Sequence, residues 1–146
     1  MEIQSKVYLR ELIRLLVRNL GLLEKSEASC CEITISQCHA IVEIGRIEKL
    51  SLNELAELLE LDKSTTSRTI NNLVDLGLVQ REVSPEDRRY ITINLTKEGE
   101  EIYKNIEDSM DEYYLNIFNS IPEEKRSQVL ESLELLTDAV KNNKCC

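Results

Sequence analysis

Only three residues, Glu60-Leu61-Asp62, separate two stretches of helical periodicity. Leu52, Leu55, Ala56 and Leu59 mark the first stretch; Ile70, Leu73 and Val74 mark the inner face of the second. So short a link forces two helices to cross sharply, and Ala56 is small enough to let them approach closely. Ser51-Leu52-Asn53-Glu54 reads as a capping box: the Ser51 hydroxyl accepts from the third helical N–H, and Glu54 reaches back to the Ser51 N–H. Asp62 is placed to cap the second helix, residues 63–76, and Gly77 supplies its left-handed stop.

Leu78–Val83 then reads as a strand. Tyr90–Leu95 alternates, with Ile91, Ile93 and Leu95 on one side and Thr92 and Asn94 on the other. Ser84-Pro85-Glu86-Asp87-Arg88-Arg89 joins the two as a hairpin tip. Helix, tight turn, helix and hairpin make a winged helix-turn-helix within residues 36–96. A helix is expected from Ile35-Ser36 to Gly45 or Arg46, carrying Ala40, Ile41 and Ile44 inward. Residues 26–35 read as a loop.

Long helices flank this unit. Residues 2–25 form an amphipathic pattern, with Lys6, Arg10, Arg14 and Arg18 as a solvated ladder on another face. Thr96-Lys97-Glu98-Gly99 opens a helix to about Asn119, with Ile102, Ile106, Met110, Tyr113 and Ile117 as a coiled-coil-like seam. Pro122 stands at the first turn of a last helix, whose seam is Val129, Leu133, Leu136 and Val140. The expected fold is therefore mainly α: a winged helix-turn-helix with a two-stranded wing, between dimerisation regions at residues 1–35 and 97–146.

Composition narrows the function. The 146 residues carry 18 Lys and Arg against 27 Asp and Glu, a net charge of −9. Residues 62–97 alone carry +1, so the remainder carries −10. An acidic body whose acidity lies mainly outside the reading unit repels DNA except at the correct face. No apolar run approaches the ~20 residues of a membrane span. Met1–Lys6 lacks the basic-then-apolar pattern of a secretory signal, so a cytoplasmic protein is expected. There is no Gly-rich phosphate loop, nucleophile elbow or metal-hydrolase helix motif, and His39 is the only histidine. An enzyme is not expected.

The outer face of helix 63–76 gathers Ser64, Thr65, Thr66, Ser67, Arg68, Thr69, Asn71 and Asn72. Short hydroxyls are weak helix formers that reach phosphates and base edges without bulk. Arg68 suits guanine and Asn72 adenine in the major groove. Arg88 and Arg89 at a loop tip suit a minor groove or a phosphate. Asp87 beside them makes sense as a support that holds an arginine in one rotamer. The expected DNA contacts are Lys63, Ser64, Thr65, Thr66, Arg68, Thr69, Asn72, Asp87, Arg88 and Arg89. A helical adaptor that binds no DNA is the rival reading.

Five cysteines, Cys30, Cys31, Cys38, Cys145 and Cys146, form an odd set in a reducing compartment, which disfavours a disulfide framework. Three readings stay open. Cys38 is a small buried hydrophobe with the others incidental; or Cys30, Cys31 and Cys38 bind a thiophilic ion, with Cys145 or Cys146 joining from the tail; or one thiolate senses oxidants. No resident cofactor is expected. Arsenite, antimonite, cadmium, cuprous ion or zinc is the expected kind of inducer, and a phenolic or drug-like ligand is the alternative.

The chain resembles the MarR (multiple antibiotic resistance regulator) family of winged-helix transcription factors. Leu52-Asn53-Glu54-Leu55-Ala56, Thr65–Leu73, Leu76-Gly77-Leu78-Val79, Pro85–Arg89 and Leu95–Gly99 carry the resemblance. It implies a homodimer, usually a repressor, that places a recognition helix in the major groove of a pseudo-palindromic operator and is released by an inducer. It implies Arg89 as the wing reader and Asp87 as its support. The family's zinc-sensing branch has a cysteine before the second helix and a Glu-His pair early in it. Here Gln37-Cys38-His39 stands there, without that branch's later histidines, which favours a softer ion.

Overall fold

The computed structural model describes residues 2–20, 27–28 and 33–145. Two compact units divide the chain, Met1–Glu107 and Asp108–Cys146. The boundary between them falls inside a long helix. The reason is that Ile102, Tyr103 and Ile106, early on that helix, pack on the same core as the winged unit.

Helix α1 spans Glu2–Asn19. It stops short of the residue 25 expected from periodicity; Leu20 lies in a turn and donates to the Leu16 carbonyl at 2.9 Å. Residues 21–25 lie outside the described residues. The segment expected to be a loop holds a short ribbon instead: β1 (Glu27–Ala28) pairs antiparallel with β2 (Ile33–Thr34). Strands of two residues are too short to show alternation in a sequence. β2 runs straight into α2, Ile35–Ile47, which a complete capping box starts. The Thr34 hydroxyl accepts from the Gln37 N–H at 3.1 Å, and the Gln37 side chain accepts from the Thr34 N–H at 3.0 Å.

α2 ends in a tight reversal. Glu48 has φ 74° and ψ −52°, and the Lys49 N–H donates to the Ile47 carbonyl at 3.0 Å. This is a γ-turn of the strained hand. It delivers Leu50 beside the wing, where it exchanges hydrogen bonds with Ile93 at 2.7 and 3.3 Å.

Helix α3 spans Leu52–Leu59 and α4 spans Lys63–Asp75. Ser51 caps α3, accepting from the Glu54 N–H at 3.1 Å. The second arm of the expected box differs: the Glu54 carboxylate accepts from the Ser51 hydroxyl at 3.2 Å, not from the Ser51 N–H. Glu60 takes the left-handed conformation (φ 56°) that closes α3. α4 ends at Gly77, φ 76°, with Gly77 N–H to the Val74 carbonyl at 2.9 Å and Leu78 N–H to the Leu73 carbonyl at 3.0 Å. That pair of bonds is a Schellman motif.

Strands β3 (Val79–Val83) and β4 (Ile91–Leu95) pair antiparallel from Val79↔Leu95 to Val83↔Ile91. Ile41, Ile44, Leu50, Leu55, Ile70, Leu73 and Ile93 close the core of this unit, each at most 1–2% exposed. Helix α5 spans Lys97–Ser120. Thr96 starts it, accepting from the Gly99 N–H at 3.1 Å. The Thr96 hydroxyl also donates to the Gly77 carbonyl at 2.7 Å, and its N–H to the Leu78 carbonyl at 3.0 Å. The start of α5 is thereby bonded to the end of α4.

In the second unit, Pro122 precedes a 3-10 turn, Glu123–Lys125, rather than opening the last helix directly. Helix α6 is Arg126–Asn142. Arg126 bonds carbonyls at the end of α5 and just beyond it, donating to Phe118, Asn119 and Ile121 at 3.0–3.3 Å. No residue of α6 is buried. No described helix is long and apolar enough to cross a membrane.

Candidate nucleic-acid interface

Asp62 organises the first turn of α4. Its carboxylate accepts from the Thr65 N–H at 3.0 Å and from the hydroxyls of Ser64 and Thr65. Those hydroxyls, the Ser64 bond first, hold its carboxyl well below the usual carboxylate range. Ser64 and Thr65 are thus committed to the cap. Thr66 is fully buried and donates to the Asp62 carbonyl at 2.9 Å. Thr69 is 9% exposed and donates to the Thr65 carbonyl at 3.2 Å.

This corrects the sequence expectation. Thr66 and Thr69 are not on the outer face. Residues 66, 69, 70 and 73 recur at i, i+3, i+4 and i+7, so both threonines share the inner stripe with Ile70 and Leu73. Their hydroxyls return to the backbone one turn earlier, which makes them tolerable inside. That spacing was the available signal; weighing residue types alone hid it.

The outer face of α4 retains Lys63, Arg68, Asn71 and Asn72, all exposed, with Ser67 half-buried. Arg68 and Asn72 lie four apart and share one surface of the helix. Asn71 is engaged by Arg81 of β3, whose guanidinium donates to the Asn71 Oδ1. Arg81 was not among the residues expected from sequence.

The wing tip is ordered by Asp87. Arg89 donates from Nε to Asp87 Oδ1 at 3.2 Å, from Nη2 to Oδ2 at 3.0 Å, and from its own N–H to Oδ1 at 3.0 Å. The Arg89 side-chain bonds, then its N–H, lower the Asp87 carboxyl from its ordinary value. Arg89 remains 88% exposed at its side chain, so it is oriented without being covered. The tip closes through Ser84 N–H to the Tyr90 carbonyl at 2.9 Å and Tyr90 N–H to the Asp87 carbonyl at 3.0 Å. Arg88 is exposed beside it. The exposed residues of α4 and those of the hairpin tip therefore belong to one compact unit, Lys63 to Asn72 on α4 and Asp87 to Arg89 on the hairpin.

The thiols divide differently. Cys30, Cys31 and Cys146 lie outside the described residues. Cys38 is half-buried on α2 and packs on the core of the first unit. Cys145 is exposed beyond α6 in the second. Among the described residues, no three His, Cys, Asp or Glu side chains gather as a metal site.

Comparison with known proteins places this geometry. The sequence pattern of the MarR family matches residues 32–89. YsmB of Bacillus subtilis (strain 168), named as an uncharacterized HTH-type transcriptional regulator, is 32% identical over 109 residues, 75% of each chain. The HTH-type transcriptional regulator BilQ of Clostridium symbiosum (strain WAL-14163) is 24% identical over 121 residues, 83% of this chain and 84% of its own. Streptococcus pneumoniae FabT, solved in complex with DNA, has the same fold with a TM-score of 0.84, at 22% identity, over 95% of this chain and 99% of that one. S. aureus MepR, also solved as a DNA complex, superposes with a TM-score of 0.74 at 22% identity, over 89% and 96%. A helix-turn-helix with an aspartate-held wing arginine, a family pattern centred on that unit and a relative matched over three quarters of both chains lead to one assignment: the chain belongs to the MarR family of winged-helix transcriptional regulators.

Proposed function

We propose that the protein is a sequence-specific DNA-binding regulator, a homodimeric repressor that sets one α4 per protomer in successive major grooves of a pseudo-palindromic operator. The observation that carries this reading is the pairing of the exposed Arg68 and Asn72 face with a wing arginine held ready by Asp87. Arg68 and Asn72 supply base-edge donors and acceptors, and Lys63, Arg88 and Arg89 supply charge for the backbone. That FabT and MepR were solved with DNA supports the same use of the fold here.

Apolar exposure supports the homodimer. Ile3, Val7, Leu12 and Leu16 of α1 are 46–72% exposed, and Met110 and Tyr113 of α5 are about 41–42% exposed. Leu133 and Val140 of α6 are 44% and 57% exposed. Leaving such stripes in water forfeits ~25 cal/mol per Å² of apolar surface. A second copy, carrying the same stripes, is the partner this reading assigns to them.

The trigger in this reading is a thiophilic ion at Cys30, Cys31 and Cys38, a proposal that rests on the sequence chemistry of the thiols. The test of function is selection of duplexes from a random library, then anisotropy binding with wild type, Arg68→Ala and Arg89→Ala. Arg68→Ala is expected to relax base preference, and Arg89→Ala to weaken binding with a shallower salt dependence. Wild type that enriches no duplex overturns the DNA reading. Arsenite, cadmium, zinc and peroxide are then added to the complex. Release that persists in the Cys30→Ser, Cys31→Ser, Cys38→Ser triple variant overturns the thiol trigger and favours a small organic ligand.

A further inference from the structure

Arg81 is the third residue of β3, opposite Ile93 in the ladder. It is exposed, yet its guanidinium is not loose: Nη2 donates to Oδ1 of Asn71 on α4. Asn71 stands three residues after Arg68 and beside Asn72, on the exposed stretch of α4 where i and i+3 side chains are neighbours. The bond therefore brings a cation from the wing strand onto the face that carries Arg68.

The chemistry of this bond sets Arg81 apart from the ion-paired cations of the unit. Arg89 is matched by Asp87 at 3.0 Å, Lys49 by Glu82 at 3.4 Å, and Arg46 by Glu43 and Glu107 at 3.7 Å. Each of those cations has a carboxylate that offsets its charge. Arg81 makes no ion pair among the described residues; the partner it is given is a neutral amide. A neutral acceptor takes one of the five guanidinium donors and leaves the full positive charge and the remaining donors unspent. The result is an ordered, exposed, uncompensated guanidinium, the group best suited to the two oxygens of a phosphate.

We infer that Arg81 is a backbone-phosphate contact of the DNA interface, positioned by Asn71 against the recognition helix. The inference rests on the DNA-binding reading given above. Its consequence is that phosphate clamp and base-reading helix share one anchor, so the wing strand and α4 dock in fixed register.

The experiment uses the full-length protein with a duplex selected by wild type from a random library, and a random-sequence duplex of equal length. Affinity is measured from 50 to 300 mM salt for wild type, Arg81→Gln, Arg81→Lys and Asn71→Ala. Arg81→Gln is expected to weaken both duplexes alike, by roughly tenfold or more, and to reduce the salt slope by ~0.9 per protomer. Arg81→Lys keeps the charge and so keeps the slope. Asn71→Ala frees the guanidinium, lowering affinity several-fold with the slope of wild type. Arg81 is exposed, so thermal midpoints are expected to stay within ~2 °C, as for surface changes generally. A role as a fold tether alone predicts the opposite pattern: Arg81→Gln and Asn71→Ala alike, both with the wild-type slope. An unchanged slope in Arg81→Gln overturns this inference and leaves the DNA reading standing. Wild type that binds neither duplex overturns both.

Discussion

Replacing Gly99 with alanine drives a methyl group into backbone. A Cβ at Gly99 lies 2.0 Å from the Leu78 carbonyl oxygen and 3.0 Å from its carbon. An ordinary carbon–oxygen contact needs about 3.3 Å, so α5 must retreat by roughly 1.3 Å. Two bonds lie across that gap, Thr96 hydroxyl to the Gly77 carbonyl at 2.7 Å and Thr96 N–H to the Leu78 carbonyl at 3.0 Å. A retreat of that size breaks both, at about 1 kcal/mol each. Loosened packing around Leu78 and Ile102 adds about 1–2 kcal/mol, within the usual range for an overfilled contact. Alanine's better helix propensity returns about 1 kcal/mol. The net expectation is a loss of about 2–3 kcal/mol, a fall of roughly 6–12 °C in Tm. Urea unfolding followed by far-UV circular dichroism, at one protomer concentration, measures it. Gly77→Ala is the comparison, because its Cβ meets nothing within 4 Å and the cost is only that of φ 76°, about 1–2 kcal/mol. A Gly99→Ala protein as stable as wild type, or more stable, refutes the reasoning.

Further expectations follow from the same geometry. Thr66→Val keeps the buried shape and removes only a hydroxyl bonded to the Asp62 carbonyl, so DNA affinity should stay within about twofold; a loss comparable to that of Arg68→Ala would put Thr66 back on the outer face. Glu48→Gly relieves the strained φ of 74° at the γ-turn and should raise stability by about 1 kcal/mol, read from the urea midpoint; a lower midpoint would show that the Glu48 side chain outweighs the strain. Asp87 has its carboxyl lowered in the folded state, so the Arg89 fork is complete above the ordinary aspartate value of about 3.9 and is lost only as pH falls through the lower folded value. Carbon-13 NMR of the Asp87 carboxyl should give a midpoint below the ordinary one, moving up in Arg89→Ala; a midpoint at or above 3.9 in wild type would contradict the fork.

The winged unit was legible because its signals are local and redundant. Asp62 and Gly77 bracket α4 with opposite chemistries, and Ile91, Ile93 and Leu95 alternate cleanly along β4. Asp87 beside the two arginines makes sense as an internal support, and it holds Arg89 in a bidentate fork. Elsewhere the sequence misled for identifiable reasons. The Thr34–Gln37 capping box straddles the expected boundary between loop and helix, and its hydroxyl-to-amide spacing is the signal that marks it. The Glu48 γ-turn had none, since glutamate is rarely found at positive φ and tertiary pairing of Leu50 with Ile93 imposes it. Arg81 is not legible in the sequence because its partner, Asn71, is ten residues away, across the turn that joins α4 to β3.

The cap at Asp62 also bears on how such regulators diverge. Its carboxylate occupies Ser64 and Thr65, and Thr66 and Thr69 are spent inside. Four of the seven positions from 63 to 69 are therefore answerable to folding before they answer to any binding site. Heritable retargeting of this helix to new sequences must run through the positions folding leaves free, 63, 67, 68 and 72. A descendant that changed Asp62 would lose the cap that starts this helix, whatever it gained in site preference. Divergence in site preference should thus be concentrated at position 63 and in the second and third turns.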